Sequence, residues 1–368
     1  MREEARDVAA LRALLTLRVI PGLGDVARRK LLARHRTPRA ALRSALTDRT
    51  DFERTRYAQE AQACLEATLN VGASVLAYRA PGYPPSLRQL HAAPTLLWVR
   101  GDTRLLERPA VAIVGTRRNT EYGAETARML ASDLARAGIV IVSGLAHGID
   151  RYAHEGALDV GGSTIAIVGS GIDVHYPRRH AQLQERIARD GLLISEFKPG
   201  EPALRHHFPR RNRLIAALSL GVVVVEAPER SGALNTTRHA MELNRDVFAV
   251  PGPIGRETSM GTNALIRDGA GLVMDAADVM EGLRLVPVSG TETPPPVGAT
   301  DCPAGTARAV PEDPILALLD AEPRHADEIA ELCGIPIHEA VSRLLRLEIE
   351  GLARQVPGLR FARPRQAA

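Results

Sequence analysis

Short runs of Val and Ile alternate with amphipathic stretches from Pro109 to about residue 285. The runs are VAIVG (111–115), IVIVSG (139–144), STIAIVGSG (163–171), LLISE (192–196), GVVVVEA (221–227) and DVFAVPG (246–252). Between them, stretches such as AETARMLASDLARAG (124–138) place apolar residues at helical spacing. Nearly continuous apolar runs are typical of strands buried on both faces of a parallel sheet. The alternation therefore predicts an α/β domain with right-handed crossovers and a doubly wound, mostly parallel sheet.

The pattern changes on both sides of this domain. Residues 1–75 carry Leu and Ala at helical spacing and predict a small helical domain, whereas residues 76–285 form the α/β domain, with TLLWVRGD as an additional strand. Residues 286–310 are rich in Pro, Gly and Thr, which is typical of a linker. Residues 311–368 return to helical periodicity and end in a hairpin pattern, LARQVPGLRFAR. This order of elements predicts a winged-helix-like domain.

A glycine-rich turn in the helical segment has a candidate function. Pro21, Gly22 and Gly24 separate two apolar-periodic stretches in LRVIPGLGDVARRKLLAR (17–34), a pattern that resembles a helix-hairpin-helix. Glycines in such a turn allow backbone amides to approach a phosphate. A packing unit in a small helical bundle explains the same pattern, so both interpretations stay open.

Composition narrows the class of protein. The net charge is +4, and lysine occurs only at Lys30 and Lys198, so arginine supplies nearly all the positive charge. Arginine matches phosphate geometry and stacks on bases, although a compositional bias of the genome explains the same preference. Cys64, Cys302 and Cys333 form no CxxC pair, which argues against a disulfide framework and a zinc site. The chain has neither a signal-peptide pattern nor an apolar run that could span a membrane, so a cytoplasmic protein is expected.

Glycines and small hydroxyl side chains gather where the predicted strands end. The loops at these ends are GTRRNTEYG (115–123), SGLAHGID (143–150), GSGIDVHYP (169–177), SEFKPGEP (195–202) and PERSGALNTT (228–237). Such loops let phosphates approach the backbone, and the carboxyl ends of parallel strands share one edge of the sheet. Ser143 and Gly144 are candidate contacts in the second loop. Because no GxGxxG or GxxxxGK[ST] pattern occurs, neither NAD nor ATP is expected as a cofactor.

The densest basic segment is RHHFPRRNR (205–213), which contains no acid and has Phe208 at its centre. Single-strand-binding proteins combine cationic groups for the backbone with aromatic rings on which bases stack. The candidate contacts here are Arg205, Phe208, Arg211, Asn212 and Arg213. A solvated charge run with Phe208 in the core is the alternative interpretation.

Further basic residues lie on the same predicted edge of the sheet: Arg117, Arg118, Arg178, Lys198 and Arg230. Each alone is typical of an ordinary surface, but together they predict a continuous positive face. Catalytic signals are weaker, because the histidines show no metal-ligand spacing and no GxSxG motif occurs. Asp150 and Asp173 are better explained as helix caps or loop braces. We therefore expect no metal and no catalytic residue.

The segments together resemble a known family, DNA-processing protein A (DprA, also called Smf). The resemblance rests on VAIVGTRRNTEYG, SGLAHGIDRYAHEGAL, GSGIDVHYP, SEFKPGEP, HFPRRNRLIAALS, RSGALNTTRHA, DVFAVPG and GTNALIRDGA, which follow in this order over about residues 80–275. It implies a Rossmann-like domain that binds single-stranded DNA, forms a homodimer and helps to load RecA recombinase onto incoming DNA. The contacts it implies are Arg117, Arg178, Arg205, Phe208, Arg211, Arg213 and Arg230.

Two other functions are alternatives to single-stranded DNA binding. Nucleotide-cleaving phosphoribohydrolases share a similar fold, but their glutamate-bearing signature is replaced here by RSGALNTTRHA, with His239 near the position of the glutamate. A transcription regulator built from the hairpin and the winged helix is the second rival. Residues 311–368 hold seven basic and ten acidic residues, and this acidic balance favours a protein-binding or structural role over duplex DNA binding.

Overall fold

The computed structural model describes residues 2–285 and, beyond them, residues 315, 318–319, 324–349, 353–356 and 360–362. The residues up to 285 belong to one compact unit, and the later ones belong to a second. The predicted linker, 286–310, lies outside the described residues, as does Cys302. Within the described ranges, no helix combines the length and the apolarity needed to cross a bilayer.

The first unit is built on a nine-stranded sheet. The strands are β1 (Ser74–Ala77), β2 (Leu96–Gly101), β3 (Ala110–Val114), β4 (Val140–Ser143), β5 (Thr164–Val168), β6 (Leu192–Ser195), β7 (Gly221–Val224), β8 (Asp246–Ala249) and β9 (Gly271–Leu272). Their order is β1-β2-β6-β5-β4-β3-β7-β8-β9, and all neighbours from β6 to β9 are parallel. At one edge, β1 pairs antiparallel with β2, and β2 pairs antiparallel with β6. The predicted doubly wound, mostly parallel sheet is therefore confirmed, and each of the six apolar runs forms a strand.

Helices cover both faces of the sheet. Those of the first unit are α1 (Arg2–Val19), α2 (Asp25–Arg34), α3 (Pro38–Ala45), α4 (Asp51–Asn70), α5 (Pro85–Arg88), α6 (Glu121–Arg136), α7 (Ile149–Asp159), α8 (Ala181–Asp190), α9 (His207–Leu218), α10 (Ala233–Glu242), α11 (Glu257–Arg267) and α12 (Ala276–Gly282). The 3-10 helices are Thr103–Glu107 and Arg178–His180. Side chains alternate along β3, so Val111 and Ile113 pack in the core beneath α6 and α7, whereas Ala112 and Val114 pack with α9. Burial on both faces explains the continuous apolar runs.

The N-terminal helices pack on the antiparallel edge of the sheet. Leu15 of α1 and Tyr57 of α4 share a buried core with Trp98 of β2. The Trp98 indole Nε1 donates a hydrogen bond of 3.0 Å to Thr68 Oγ1 on α4. The sequence pattern predicted helix through residue 75, whereas β1 already begins at Ser74. Helix α4 ends before Gly72, which has a φ of +64°, and the following residues pair with β2.

The second unit contains helices α13 (Ala326–Cys333) and α14 (Ile337–Ile349), and strands β10 (Arg324–His325), β11 (Arg354–Val356) and β12 (Arg360–Ala362). The three strands form an antiparallel sheet in the order β10-β12-β11. Phe361 of β12 is buried with Ile329 and Leu344 of the two helices. The predicted terminal hairpin and the winged-helix-like order of elements are confirmed.

The chain order of the parallel strands determines where a ligand site is expected. β3 lies between β4 and β7, because the chain runs outwards from β3 to β6 and then crosses back to β7. The loops after β3 and β7 therefore diverge to opposite faces of the sheet and leave a crevice at its carboxyl edge. Ligands of open α/β sheets bind at this switch point.

Candidate nucleic-acid interface

A cleft of about 850 Å³ occupies the switch point. Its walls come from the loop after β3, the first turns of α9 and the segment from Pro228 to Thr236, which leads into α10. Of the predicted contact residues, the structure brings together Arg117, Arg118, Arg205, Phe208, Arg211, Asn212 and Arg230 in the lining of this cleft. These residues come from three separate segments of the chain, so it is the fold that collects the positive charge.

Four of the lining arginines are available for a ligand. Arg117, Arg118, Arg205 and Arg230 are exposed. Within the described part of the chain, none of their guanidinium groups makes a hydrogen bond or an ion pair, so each retains its donors. Such a group of unpaired guanidiniums, facing one cleft, favours an anionic ligand with several phosphates.

An aromatic pair lies between these cations. The rings of Tyr176 and Phe208 are 5.4 Å apart at an interplanar angle of 42°. The Arg117 guanidinium lies over the Phe208 ring, 5.1 Å from its centroid. Tyr176 is 44% exposed, and a small pocket that adjoins the cleft is bordered by both rings and by Gly144. A base can therefore reach an aromatic face next to a cation.

Arg211 forms the floor of the cleft and has a different character from the exposed arginines. It is 3% exposed, and its Nη1 donates to the carbonyl oxygens of Gly144 and Ile167, at the ends of β4 and β5. A side chain on Gly144 would collide with this guanidinium, which explains the glycine. Burial lowers the pKa of Arg211 to about 10, so it stays charged at neutral pH. Arg211 therefore links two strand ends while adding positive potential to the floor.

Among the residues that the structure describes, Asp150 is the carboxylate that lines the cleft. It lies in the first turn of α7, is 6% exposed, and accepts hydrogen bonds from the backbone amides of Gly144 and Ala146 at 3.2 and 3.3 Å. Burial raises its pKa, and the neighbouring Arg211 opposes that change. The predicted role of Asp150 as a loop brace agrees with these contacts.

A second buried carboxylate shapes the loop that carries Arg117 and Arg118. Glu226 is 3% exposed, and it accepts hydrogen bonds from the Thr120 amide at 2.8 Å and from the Thr120 hydroxyl at 2.7 Å. Thr120 in turn caps α6 by accepting from the Gly123 amide. Glu226 thus ties the loop after β3 to the end of β7.

The N-terminal end of α10 adds a further anion-favouring feature. Gly232 precedes the helix and makes no side-chain cap, and Gly232 and Ala233 both line the cleft. The first amides of a helix carry partial positive charge and attract phosphates. The structure therefore directs a helix terminus, besides the arginines, towards the same space.

Not every predicted contact reaches the cleft. The Ser143 side chain is fully buried and its hydroxyl donates to the Ile113 carbonyl at 2.6 Å, so it cannot face a ligand. Arg213 lies on the opposite side of α9, where it pairs with Glu196 and donates to the Ala92 carbonyl at 2.8 Å. Lys198 and Arg178 are exposed but do not line the cleft, although Arg178 follows Pro177, which borders the small pocket. Gly144 borders that small pocket.

Sequence reasoning missed Tyr176 as a site residue. The tyrosine is the next-to-last residue of the loop 169–177, whose glycines and small hydroxyl side chains are the predicted phosphate-binding features. The scarcity of aromatic residues, 3% of the chain, was the available signal, because an aromatic residue in a strand-end loop is then unusual.

Comparisons with known proteins identify the family of this chain. The family model for DNA recombination-mediator protein A matches residues 74–284, and the model for the DprA winged helix domain matches residues 299–358. Protein Smf of Escherichia coli is 42% identical over 75% of this chain and 74% of its own length. DNA processing protein DprA of Streptococcus pneumoniae is 48% identical over 54% of this chain and 70% of its own length.

Two solved structures of DNA processing protein A are also similar to this chain. The X-ray structure of DNA processing protein A from S. pneumoniae has a TM-score of 0.62 at 36% identity and covers 75% of this chain and 96% of its own. DNA processing protein A from Helicobacter pylori, described for its single-stranded DNA binding mode, has a TM-score of 0.52 at 35% identity, with coverages of 58% and 95%. Since the family model spans more than half of the chain and full-length relatives align over most of it, the chain belongs to the DNA recombination-mediator protein A (DprA/Smf) family.

Proposed function

We propose that this protein binds single-stranded DNA in the cleft at the switch point of its sheet. The observation that carries the proposal is the Arg117 guanidinium over Phe208, with Tyr176 beside it and unpaired arginines on either side. The arginines and the end of α10 would hold backbone phosphates, and a base would stack near Phe208. The single-strand binding mode described for the H. pylori relative supports this assignment.

The preference for single strands follows from the aromatic pair. A base in a duplex must break its base pair before it can stack on a side chain, so the bases of an intact duplex cannot stack on Phe208 and Tyr176. Contacts to phosphates and to base faces carry little sequence information, so binding is expected to vary little with sequence. Arg211 and Asp150 act from beneath the cleft, by shaping the loops and setting the local potential.

The test compares an oligo(dT) strand with a duplex of equal length over a series of salt concentrations. Wild-type protein should prefer the single strand, with a steep dependence on salt. Replacing Phe208 by Ala should cost about 1–3 kcal/mol of binding free energy, whereas F208W should retain most of the affinity. Equal affinity for strand and duplex, together with an F208A variant that binds like wild type, would refute the proposal.

We further propose that the bound strand is protected and passed to RecA recombinase during natural transformation and recombination, in the cytoplasm and without catalysis. The family assignment supports this role. The proposed loading of RecA is tested on single-stranded DNA that is covered by single-strand-binding protein. The ATPase activity of RecA reports how fast its filament forms on this DNA. Addition of the wild-type protein should shorten the lag before RecA hydrolyses ATP. Addition of the R117A variant should leave this lag as long as it is without the protein. An unchanged lag with wild-type protein would contradict RecA loading.

The proposal that the protein catalyses no reaction is tested by an assay for the alternative activity, phosphoribohydrolase cleavage of nucleotides. The glutamate of the phosphoribohydrolase signature is replaced here by His239, which lies in the last turn of α10 and has its Nδ1 3.0 Å from Glu242 Oε2. Within the part of the chain that the structure describes, the lining of the cleft contains one carboxylate, that of the buried Asp150. Incubation with nucleoside monophosphates should therefore release no free base, and any release lost in a D150N variant would establish an enzyme.

Homodimerisation is the remaining part of the proposal. In the described part of the chain, β9 forms one edge of the sheet, and Leu272 and Met274 beside it are 45% and 71% exposed. Exposed apolar side chains at a strand edge favour pairing with a second copy. Light scattering should give twice the monomer mass for wild-type protein and a monomer for the double variant L272R/M274R. A wild-type monomer at micromolar concentration would exclude the dimer.

A further inference from the structure

A second groove, of about 770 Å³, lies within the same compact unit. It is bordered by Arg210 and Arg213 of α9 and by the turn that joins α1 to α2. Phe208, Arg211 and Asn212 line the cleft described above, so the two sites lie on different faces of one helix. The helix-hairpin-helix pattern recognised in the sequence forms one wall of this groove.

The groove carries more positive than negative charge. Four arginines line it, Arg18, Arg28, Arg210 and Arg213. The nearby carboxylates are Asp25, in the lining, and Glu196, which is 2% exposed. Four cations face two anions, so a surplus of positive charge remains inside a concave surface, where it is poorly screened.

Both carboxylates are already engaged by the protein. Asp25 Oδ1 is 2.9 Å from Arg28 Nη2 and accepts from the backbone amide of Thr95 at 3.3 Å, and its Oδ2 is 2.9 Å from Arg210 Nη2. Glu196 pairs with Arg210 Nε at 3.2 Å and with Arg213. The acids therefore hold three of the arginines in place and have little capacity to repel an incoming anion.

Arg18 is the lining arginine that remains free. Its guanidinium makes no hydrogen bond or ion pair to any other residue that the structure describes, and the side chain is partly exposed. Arg28 is 4% exposed, and its Nε is a buried donor without an acceptor among the described residues. Arg18 thus retains donors that a ligand in the groove can reach, and the buried Arg28 adds positive charge beside it, which favours an anion.

The backbone of the turn is open on the same side. Gly22 has a φ of +76° and Gly24 precedes α2 without a side-chain cap. A Cβ atom at either glycine would meet nothing within 4 Å, so a phosphate could approach this backbone closely. The first amides of α2 add partial positive charge.

We propose that this groove binds backbone phosphates of the DNA strand that leaves the cleft and passes over the start of α9. The inference rests on the proposed function. Arg205, at the rim of the cleft, and Arg210, in the groove, are both exposed near the start of α9, and they provide cations along the path between the two sites. A nucleic acid is favoured over an acidic peptide because the groove lies next to a cleft with the same arginine chemistry.

The experiment measures affinity for oligo(dT) of increasing length, from about 4 to about 16 nucleotides, which is the range of site sizes of single-strand-binding OB folds. R18A should bind the shortest strand like wild type and the longest strand about fivefold more weakly at 0.1 M salt, because one lost phosphate contact lowers the salt slope by about 0.7. R18K, which keeps the charge, should bind nearly like wild type. R12A is the matched control, because Arg12 is exposed on the same helix and does not line the groove.

The two proposals fail in different ways. If R18A binds every length like R12A while R117A weakens all lengths, the groove is not on the DNA path, and the cleft assignment stands. If R18A weakens even the shortest strand as much as the longest, Arg18 acts on the cleft, and the groove proposal is wrong. Binding of polyglutamate that R18A abolishes, without any effect of R18A on long strands, would assign the groove to an acidic peptide instead. A wild-type protein that binds no strand refutes the cleft assignment, and the groove falls with it.

Discussion

Arg117 and Arg211 line the same cleft, yet replacing them should give opposite results. Arg211 is 3% exposed and donates to two backbone carbonyls, whereas Arg117 is exposed and makes no ion pair within the described residues. We expect R211M to destabilise the fold and R117A to weaken DNA binding alone. The comparison therefore separates a residue that builds the site from one that contacts the ligand.

The magnitude for Arg211 follows from its burial. Removing the guanidinium takes a donor from two buried carbonyls and takes a neighbouring positive charge from Asp150, whose pKa burial already raises. Losing the charged partner of buried hydrogen-bonded groups costs about 1–3 kcal/mol for each group. For a unit of this size, that loss lowers the melting temperature by on the order of 10 °C. R211K should not restore stability, since one ammonium cannot reproduce the planar fork of the guanidinium.

The expected result for Arg117 differs in both readouts. Arg117 is exposed, makes no ion pair among the described residues and contacts the Phe208 ring, so its loss should change the free energy of unfolding by at most about 1 kcal/mol. Loss of one phosphate contact should reduce the salt slope for oligo(dT) by about 0.7. Thermal unfolding followed by circular dichroism, and binding followed by fluorescence anisotropy, measure the two quantities on the same samples. If R211M melts like wild type and binds DNA as weakly as R117A does, the buried-brace interpretation of Arg211 is refuted.

Three further predictions concern the support of the site. Burial lowers the pKa of His154 to about 3, so below pH 6.5 the unfolded chain takes up a proton that the folded chain refuses. The contribution of His154 to stability should therefore fall by roughly 2–3 kcal/mol between pH 7 and pH 4.5; H154Q should show a shallower fall in the urea midpoint, and an unchanged fall would contradict this. G144A should displace Arg211 and cost about 1–3 kcal/mol, whereas the open-site control G24A should change stability little, as urea unfolding will test. E226A should release Thr120 and lower both the melting temperature and the oligo(dT) affinity, and a loss of neither would exclude its role as a loop brace.

The positions of the strands and of their loops could be predicted because the causes are local. A strand buried on both faces must be apolar throughout, so β3 to β8 were visible as Val- and Ile-rich runs. The direction of parallel strands then places their following loops at one edge, which brought Arg117 and Arg230 to the same cleft. The two-residue strand β9 was too short to leave such a pattern.

The direction of individual side chains could not be predicted, because it depends on distant partners. Ser143 is the last residue of β4, and only the neighbouring strand β3 determines that its hydroxyl bonds inwards to Ile113. Arg210 pairs with Asp25, which lies 185 positions earlier in the chain. No local pattern identifies such a partner. The basic run therefore appeared as a single DNA-binding segment, although its charges serve two purposes.

Helix α9 explains how one short segment serves both purposes. Successive residues of a helix point about 100° apart, so arginines adjacent in sequence face different neighbours. Phe208 and Arg211 face the cleft, whereas Arg210 and Arg213 meet Glu196, and Arg210 also meets Asp25 of the N-terminal helices. The ion pairs hold the helix between the hairpin turn and the sheet, so the aromatic ring and the free arginines are presented by a fixed support. Counting the charges of the run therefore overstates the number of free cations in it, because Arg210, Arg211 and Arg213 already bond to carboxylates or carbonyls of the protein, whereas the Arg205 guanidinium makes no such bond among the described residues.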